Sequence, residues 1–122
     1  MTPKDLTSIA VPELLRAYAD AAAEHGEGIL MFNHRRANPS ADTVASIYRE
    51  LRRRGPVAQG ALLALLDHPH RGVRGWAAAH ALEFSAAEGE RVLRRLAGFP
   101  DILGLQSKTV LTEWERGALT FP

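Results

Sequence analysis

The segment from Leu62 to Leu82, LLALLDHPHRGVRGWAAAHAL, constrains the fold more than any other part of the chain. It begins with an apolar helix of leucines that stops at Asp67-His68-Pro69, because proline breaks the helical hydrogen-bond pattern and disfavours helix in the residue before it. A second amphipathic helix restarts at Val73-Arg74 and continues to the end of the segment. The pattern predicts one helical hairpin with a tight turn.

This hairpin resembles the HEAT and armadillo class of α-solenoids, whose repeats carry a similar Asp-Pro turn followed by Val-Arg and small residues. The resemblance implies a scaffold that binds another molecule, with Asp67 and Arg74 tying adjacent turns together. Setting Leu62 and Leu65 against Leu93 and Leu96 gives a period of about 31 to 32 residues, within the ~20–50 residues typical of stacked helical hairpins. An irregular helical bundle is the alternative.

A closer resemblance covers roughly the C-terminal half of the chain. The stretch VRGWAAAHALEFSAAEGERVL, followed by GLQSKTVLTEWERG, looks like a family of small bacterial HEAT-like proteins classed as a domain of unknown function. This resemblance implies an all-helical, bacterial, cytoplasmic protein and, by association, a protein-binding role. It brings no established catalytic residues.

Helical periodicity extends over the whole chain, and no segment alternates apolar and polar residues long enough to predict a strand. We therefore expect an all-α fold: a short HEAT-like α-solenoid, or a helical bundle of about six helices in antiparallel hairpins, forming one domain over residues 1–122. The first expected helix begins at Pro12, and the sequence leaves its end near Gly26 and Gly28 open. The second runs from the Ser40 cap to Arg54. The other four are Pro56–Leu66, Arg71–Phe84, Ala86–Ala97 and Gly104–Arg116.

Three local features refine these expectations. Ile29, Leu30 and Phe32 follow the glycines of the first helix and are expected to need burial. Ser40 is expected to start the second helix by accepting from its free amides, and Ser85 to form a capping box with Glu88.

Composition excludes several classes of protein. The 122 residues are 46% hydrophobic, enough to bury a core without metals or disulfides. Without cysteine a disulfide framework is impossible, which favours a reducing compartment, and we expect the cytoplasm. The N-terminus lacks the apolar core of a signal peptide, and no window approaches the ~18 apolar residues of a spanning helix. A formal net charge of +1 indicates no polyanionic partner.

Candidate binding residues lie on the predicted helix that begins at Arg71. Trp76, His80 and Glu83 are spaced i, i+4 and i+7, which places an aromatic ring, a titratable ring and a carboxylate on one ridge. Tryptophan is enriched at binding hot spots, so we predict a partner-binding surface with Arg49 and Arg53 as its charged rim. In the alternative interpretation, Trp76 packs against the second or the sixth expected helix and His80 satisfies a buried polar group.

Chemistry of other kinds is not indicated. Five histidines include His68 and His70 in one turn, but their spacing matches no zinc pattern. The sequence holds no GxSxG and no glycine-rich phosphate loop. We expect no catalytic residue, no metal and no cofactor.

The sequence therefore predicts a protein-binding helical-repeat module without catalytic activity, and one concrete version is an immunity- or antitoxin-like protein that covers a partner enzyme. The alternative function is nucleic-acid backbone binding through a basic helical track. That track would combine Arg35-Arg36, Arg49, Arg52, Arg53, Arg71 and Arg74. A sequence pI of about 8.3 lies below the value above 9 that dedicated nucleic-acid domains show.

Overall fold

A computed structural model describes residues 5–122, which form six α-helices and two 3₁₀ helices with no strand among them. The α-helices are α1 Val11–Leu30, α2 His34–Arg53, α3 Pro56–Gly60, α4 Arg71–Ala81, α5 Ala86–Leu96 and α6 Ile102–Glu115, and the 3₁₀ helices are Leu6–Ser8 and Ala61–Asp67. The predicted all-α fold is confirmed. The prediction about an N-terminal leader rests in part on residues 1–4, which lie outside the described range.

The helices pack as a small bundle around one apolar core. α1 lies along α2, and α4 packs against α1, α5 and the 3₁₀ helix Ala61–Asp67. α6 covers α5 and also contacts α1 and α4. The spacing of Val44, Ile47, Tyr48 and Leu51, at i, i+3, i+4 and i+7, predicts one apolar stripe on α2, and all four residues are buried. Burial of such stripes supplies most of the stability of helices of this length.

α1 continues through Gly26 and Gly28 without a break. These two glycines let the helix lie close to its neighbours. A Cβ atom on Gly28 would lie 3.0 Å from the backbone nitrogen of Ala37 in α2. One on Gly26 would lie 3.2 Å from Cα of Gly72 in α4. The first helix, whose end the sequence leaves open, therefore ends at Leu30, and the two glycines allow close helix packing.

The start of α2 differs from the prediction. The helix begins at His34 because the Asn33 side chain accepts a hydrogen bond from the Arg36 amide at 3.2 Å, which supplies a cap seven residues before the expected one. Pro39 lies inside the helix, and Ser40 Oγ donates to the Arg36 carbonyl at 3.5 Å instead of capping. The predicted Ser40 cap is wrong.

The Ser85 capping box is also wrong. Ser85 does occupy the position before α5, but its side chain makes no capping hydrogen bond. Glu88 forms an ion pair with Arg91 at 3.0 Å.

The bounds of the remaining helices shift less. The third predicted helix divides into α3 and a 3₁₀ helix, and the fourth ends at Ala81. A membrane-spanning helix is absent from residues 5–122.

Candidate functional site

His80 lies in the core, enclosed by two tyrosines. It is 3% exposed, its Nδ1 is 2.7 Å from the Tyr18 hydroxyl, and its ring stacks on Tyr48 with centroids 4.1 Å apart. Burial, with a smaller contribution from Arg52, lowers the pKa of His80 to about 3, so the ring is neutral at pH 7. The expectation that His80 is partly exposed is wrong, and the alternative that it satisfies a buried polar group is confirmed.

Polar contacts continue from this core site to the surface. The Tyr48 hydroxyl donates to Glu83 and accepts from Nε2 of Gln59 at 2.9 Å. Burial and the adjacent Glu83 carboxylate raise the pKa of Tyr48 well above its ordinary value. Arg52 Nη1 lies 3.0 and 3.2 Å from the two carboxylate oxygens of Glu83. Glu83 thus takes part in a network that joins α2 to the end of α4.

The predicted charged rim consists of Arg49 and Arg53. Within residues 5–122, neither of them takes part in the hydrogen bond or the ring contacts of Trp76. Arg53 forms two hydrogen bonds with Glu50, at 2.9 and 2.7 Å, and the exposed Arg49 donates to Ser46 Oγ at 3.2 Å. Bonds from Arg53 and then Arg54 lower the pKa of the buried Glu50 carboxyl to about 2. The partner-binding roles of Trp76, Glu83, Arg49 and Arg53 stay predictions.

Trp76 lines an open groove of about 440 Å³ between α1, α4, α5 and α6. Its indole Nε1 donates to His25 Nδ1 at 3.1 Å, and the two rings meet edge to face. The walls are mainly apolar side chains, namely Leu93, Leu96, Ile102, Leu103, Leu105 and Val110. The groove was not predicted, because residues from five helices line it, including Ala41 of α2.

The groove carries almost no net charge. Of the lining residues within 5–122, Arg71 is the one with a formally charged side chain, and it is neutralised by Asp101 at 3.1 and 2.5 Å. The guanidinium also lies 4.2 Å from the centroid of the Phe99 ring. Burial lowers the pKa of His25, which favours its neutral form. The groove can therefore accept apolar groups without having to neutralise a charge.

The α1–α2 turn is the second feature of note. Met31 is 62% and Phe32 77% exposed, so the expected burial of Phe32 is wrong. The Asn33 amide donates to the Gly28 carbonyl at 2.7 Å and the Phe32 amide to the Ile29 carbonyl at 3.0 Å, which is the Schellman pattern of helix ends. This pattern places Phe32 at the left-handed position, with φ of 54°, where glycine is the usual residue.

Basic residues follow the turn directly. His34, Arg35 and Arg36 form the first turn of α2, which contains no acidic residue. Positive charge is unfavourable near a helix N-terminus because the free amides already carry partial positive charge. Arg36 pairs with Glu24 of α1, whereas His34 and Arg35 are exposed. The turn therefore presents apolar and basic side chains together.

The histidines of the α3–α4 connection organise that turn. His68 Nδ1 accepts from the His70 amide at 3.0 Å, and His70 Nδ1 accepts from the Gly72 amide at 2.9 Å. Arg74 Nη1 donates to the carbonyls of His68 and Pro69 at 2.8 and 3.0 Å, so these bonds hold the turn of its own hairpin and not an adjacent turn. Within the described chain, no group of three or more His, Asp or Glu side chains is arranged to hold a metal ion.

Comparison with solved structures identifies a similar fold. The crystal structure of the protein RPA1889 from Rhodopseudomonas palustris CGA009 matches with a TM-score of 0.85 and 22% sequence identity, covering 97% of this chain and 98% of the other. A comparison with curated proteins finds no match. The sequence profile of the domain of unknown function DUF2019 matches residues 12–100. The chain therefore belongs to the DUF2019 family.

Proposed function

We propose that this protein is a cytoplasmic, non-catalytic module that binds another protein through the exposed turn at Met31 and Phe32. The observation that carries the proposal is the side chain of Phe32. It is 77% exposed on a left-handed backbone, an arrangement that costs about 1–2 kcal/mol for an L-residue other than glycine. Glycine would complete the same turn, so folding gives no reason for an aromatic residue here.

The chemistry of the turn indicates what its partner offers. Aromatic residues, Met and Arg are the types enriched in protein interfaces, and Phe32, Met31 and Arg35 are all exposed within five residues of one another. The matching surface is an apolar pocket for the Phe32 ring, rimmed by carboxylates that face His34 and Arg35.

An immunity- or antitoxin-like role is one form of this proposal. In that form the partner is an enzyme whose active-site entrance has the apolar pocket and acidic rim described above. The helical bundle supports such a role, since α1 and α2 pack along each other and fix both ends of the protruding turn. The product of a toxin-like neighbouring gene is the first purified partner to test.

Nucleic-acid binding is less well supported by the geometry. Arg52 pairs with Glu83 and Arg53 with Glu50, and Arg71 is held by Asp101. Phosphate contacts need arginines whose charge is not already balanced within the protein. Most of the predicted basic track is therefore engaged in internal ion pairs.

Site-specific photo-crosslinking in the native cell tests the proposal. p-Benzoylphenylalanine at position 32 is expected to capture one protein, which is then purified and bound directly to the unmodified chain. The matched control is the same probe at Val57, an apolar residue 92% exposed on α3. Identical products from both positions, or a captured protein that does not bind in purified form, would remove the support for this turn as an interface.

A charge reversal tests the acidic rim. Arg35→Glu is expected to slow association with the purified partner and to reduce its salt dependence, since rim charges act mainly on the association rate. The control is Arg16→Glu, which changes an exposed arginine on α1. Equal effects of the two reversals would contradict a carboxylate rim at the turn.

A further inference from the structure

The groove beside Trp76 has the dimensions of a small-molecule site. Its volume of about 440 Å³ lies within the ~300–1,000 Å³ of typical ligand pockets, and its walls are mainly apolar with a few polar groups, as such pockets generally are. We propose that this groove binds an uncharged amphiphile, a molecule with an apolar alkyl or aryl body and one hydrogen-bonding head group. The proposal is independent of the turn at Phe32.

Gly75 is the first observation that supports a ligand. It lies in the middle of α4, where glycine is less favourable than alanine, and it lines the groove. A Cβ atom there would meet only Leu96 Cδ1, at 3.8 Å, an ordinary contact. By contrast, a Cβ atom on Gly72 or Gly89 would lie 3.0 or 2.6 Å from a backbone atom, so close packing requires glycine at these two positions. Helix packing does not explain Gly75, whereas the width of the groove does.

Polar groups that line the groove supply the second observation. Ser107 is 6% exposed and lines the groove, where its hydroxyl can donate or accept a hydrogen bond. His25 accepts from Trp76 through Nδ1, so its neutral ring carries the hydrogen on Nε2 and can donate there. These groups suit the head group of a ligand that enters the groove.

Charge decides the class of head group. Asp101 already balances Arg71, and the other lining residues carry no charge when His25 is neutral. A carboxylate or ammonium head would lose its water without gaining an opposite charge, which is costly. An amide, hydroxyl or carbonyl head loses less water and can bond with Ser107. The structure therefore favours a neutral molecule over ions of either sign.

Trp76 provides a reporter within the groove. The chain contains two tryptophans, and Trp114 hydrogen-bonds to Glu90 and contacts Phe121 instead of lining the groove. In the full-length Trp114→Phe variant, emission comes from Trp76 alone. Circular dichroism establishes that this variant keeps the helical fold before any titration.

Three probes with one alkyl chain test the charge preference: octanamide, octanoate and octylammonium. We expect octanamide to change Trp76 emission saturably and to bind at least tenfold more tightly than either ion. Equal affinity for all three probes would overturn the neutral class. No saturable change with octanamide up to its solubility limit would overturn the site itself.

Substitutions that fill the groove test its location. Gly75→Leu and Ala79→Leu are each expected to weaken octanamide binding at least tenfold, and Gly75→Ala to raise the urea midpoint because alanine favours helix. Ala17→Leu, on an exposed position of α1 outside the groove, is the matched control and is expected to leave binding unchanged. If folded Gly75→Leu and Ala79→Leu both bind octanamide as the parent does, the ligand does not enter this groove. Phe32→Gly is expected to leave octanamide binding unchanged, so the two proposals fail or succeed separately.

Discussion

His80 of α4 is joined to Tyr18 of α1 by a buried hydrogen bond of 2.7 Å between Nδ1 and the phenolic oxygen. The Tyr48 ring of α2 stacks on the same imidazole. One neutral side chain of α4 thus contacts both α1 and α2, and protonating it would place an unpaired charge in the core.

Acid should therefore destabilise the protein through His80. The folded-state pKa is about 3 and the unfolded value about 6.5, so the unfolded state binds the proton first. The contribution is complete above about pH 6.5 and is lost as pH falls towards 3, by up to about 1.4 kcal/mol per pH unit. Urea unfolding between pH 7 and 4 measures it. His80→Gln should flatten the dependence and exposed His34→Gln should not; equal slopes for all three proteins would contradict this assignment.

Two glycine substitutions should change stability in opposite directions. Gly89→Ala places a Cβ 2.6 Å from the Ala78 carbonyl, where α5 crosses α4, and should destabilise the fold by about 1–3 kcal/mol. Gly75→Ala meets only an ordinary contact and should stabilise it by about 0.5–1 kcal/mol. Urea denaturation gives both values. A stabilised Gly89→Ala protein would show that the two helices are farther apart.

The helix caps make a second matched pair. Asn33→Ala removes the hydrogen bond that starts α2 and should cost about 0.5–2 kcal/mol. Ser85→Ala removes a side chain that makes no capping bond and should change stability by less than about 0.5 kcal/mol. The same unfolding assay compares them. A larger loss for Ser85→Ala would restore the capping box inferred from the sequence.

The sequence revealed those parts of the fold that depend on local periodicity. The α2 stripe from Val44 to Leu51 is buried as predicted, because spacing alone decides which residues share a helix face. The start of α2 was missed because Asn33 supplies an earlier cap than Ser40 and the helix tolerates an internal Pro39. The Asn33 amide also bonds to the Gly28 carbonyl of α1, so the end of one helix and the start of the next share this residue, which periodicity alone does not predict.

The candidate sites were harder to infer for a different reason. His80 and Trp76 share a helix ridge, yet tertiary packing buries the first between two tyrosines and leaves the second in a groove. Phe32 was expected in the core because its side chain is apolar, whereas the Schellman turn directs it to solvent. A sequence pattern predicts which residues share a helix face, but it does not predict which faces pack against other helices.

Phe32→Gly tests the central claim, that this residue is present for binding and not for folding. The substitution relieves the left-handed backbone and removes an exposed ring, so the free energy of unfolding should rise by up to about 1 kcal/mol.

The decisive measurement is the Kd of this folded variant for the partner captured at position 32. We predict a loss of more than about 2 kcal/mol, roughly 30-fold in Kd, alongside unchanged or higher stability. An unchanged Kd, or a fall in stability large enough to account for the weaker binding, would contradict the claim.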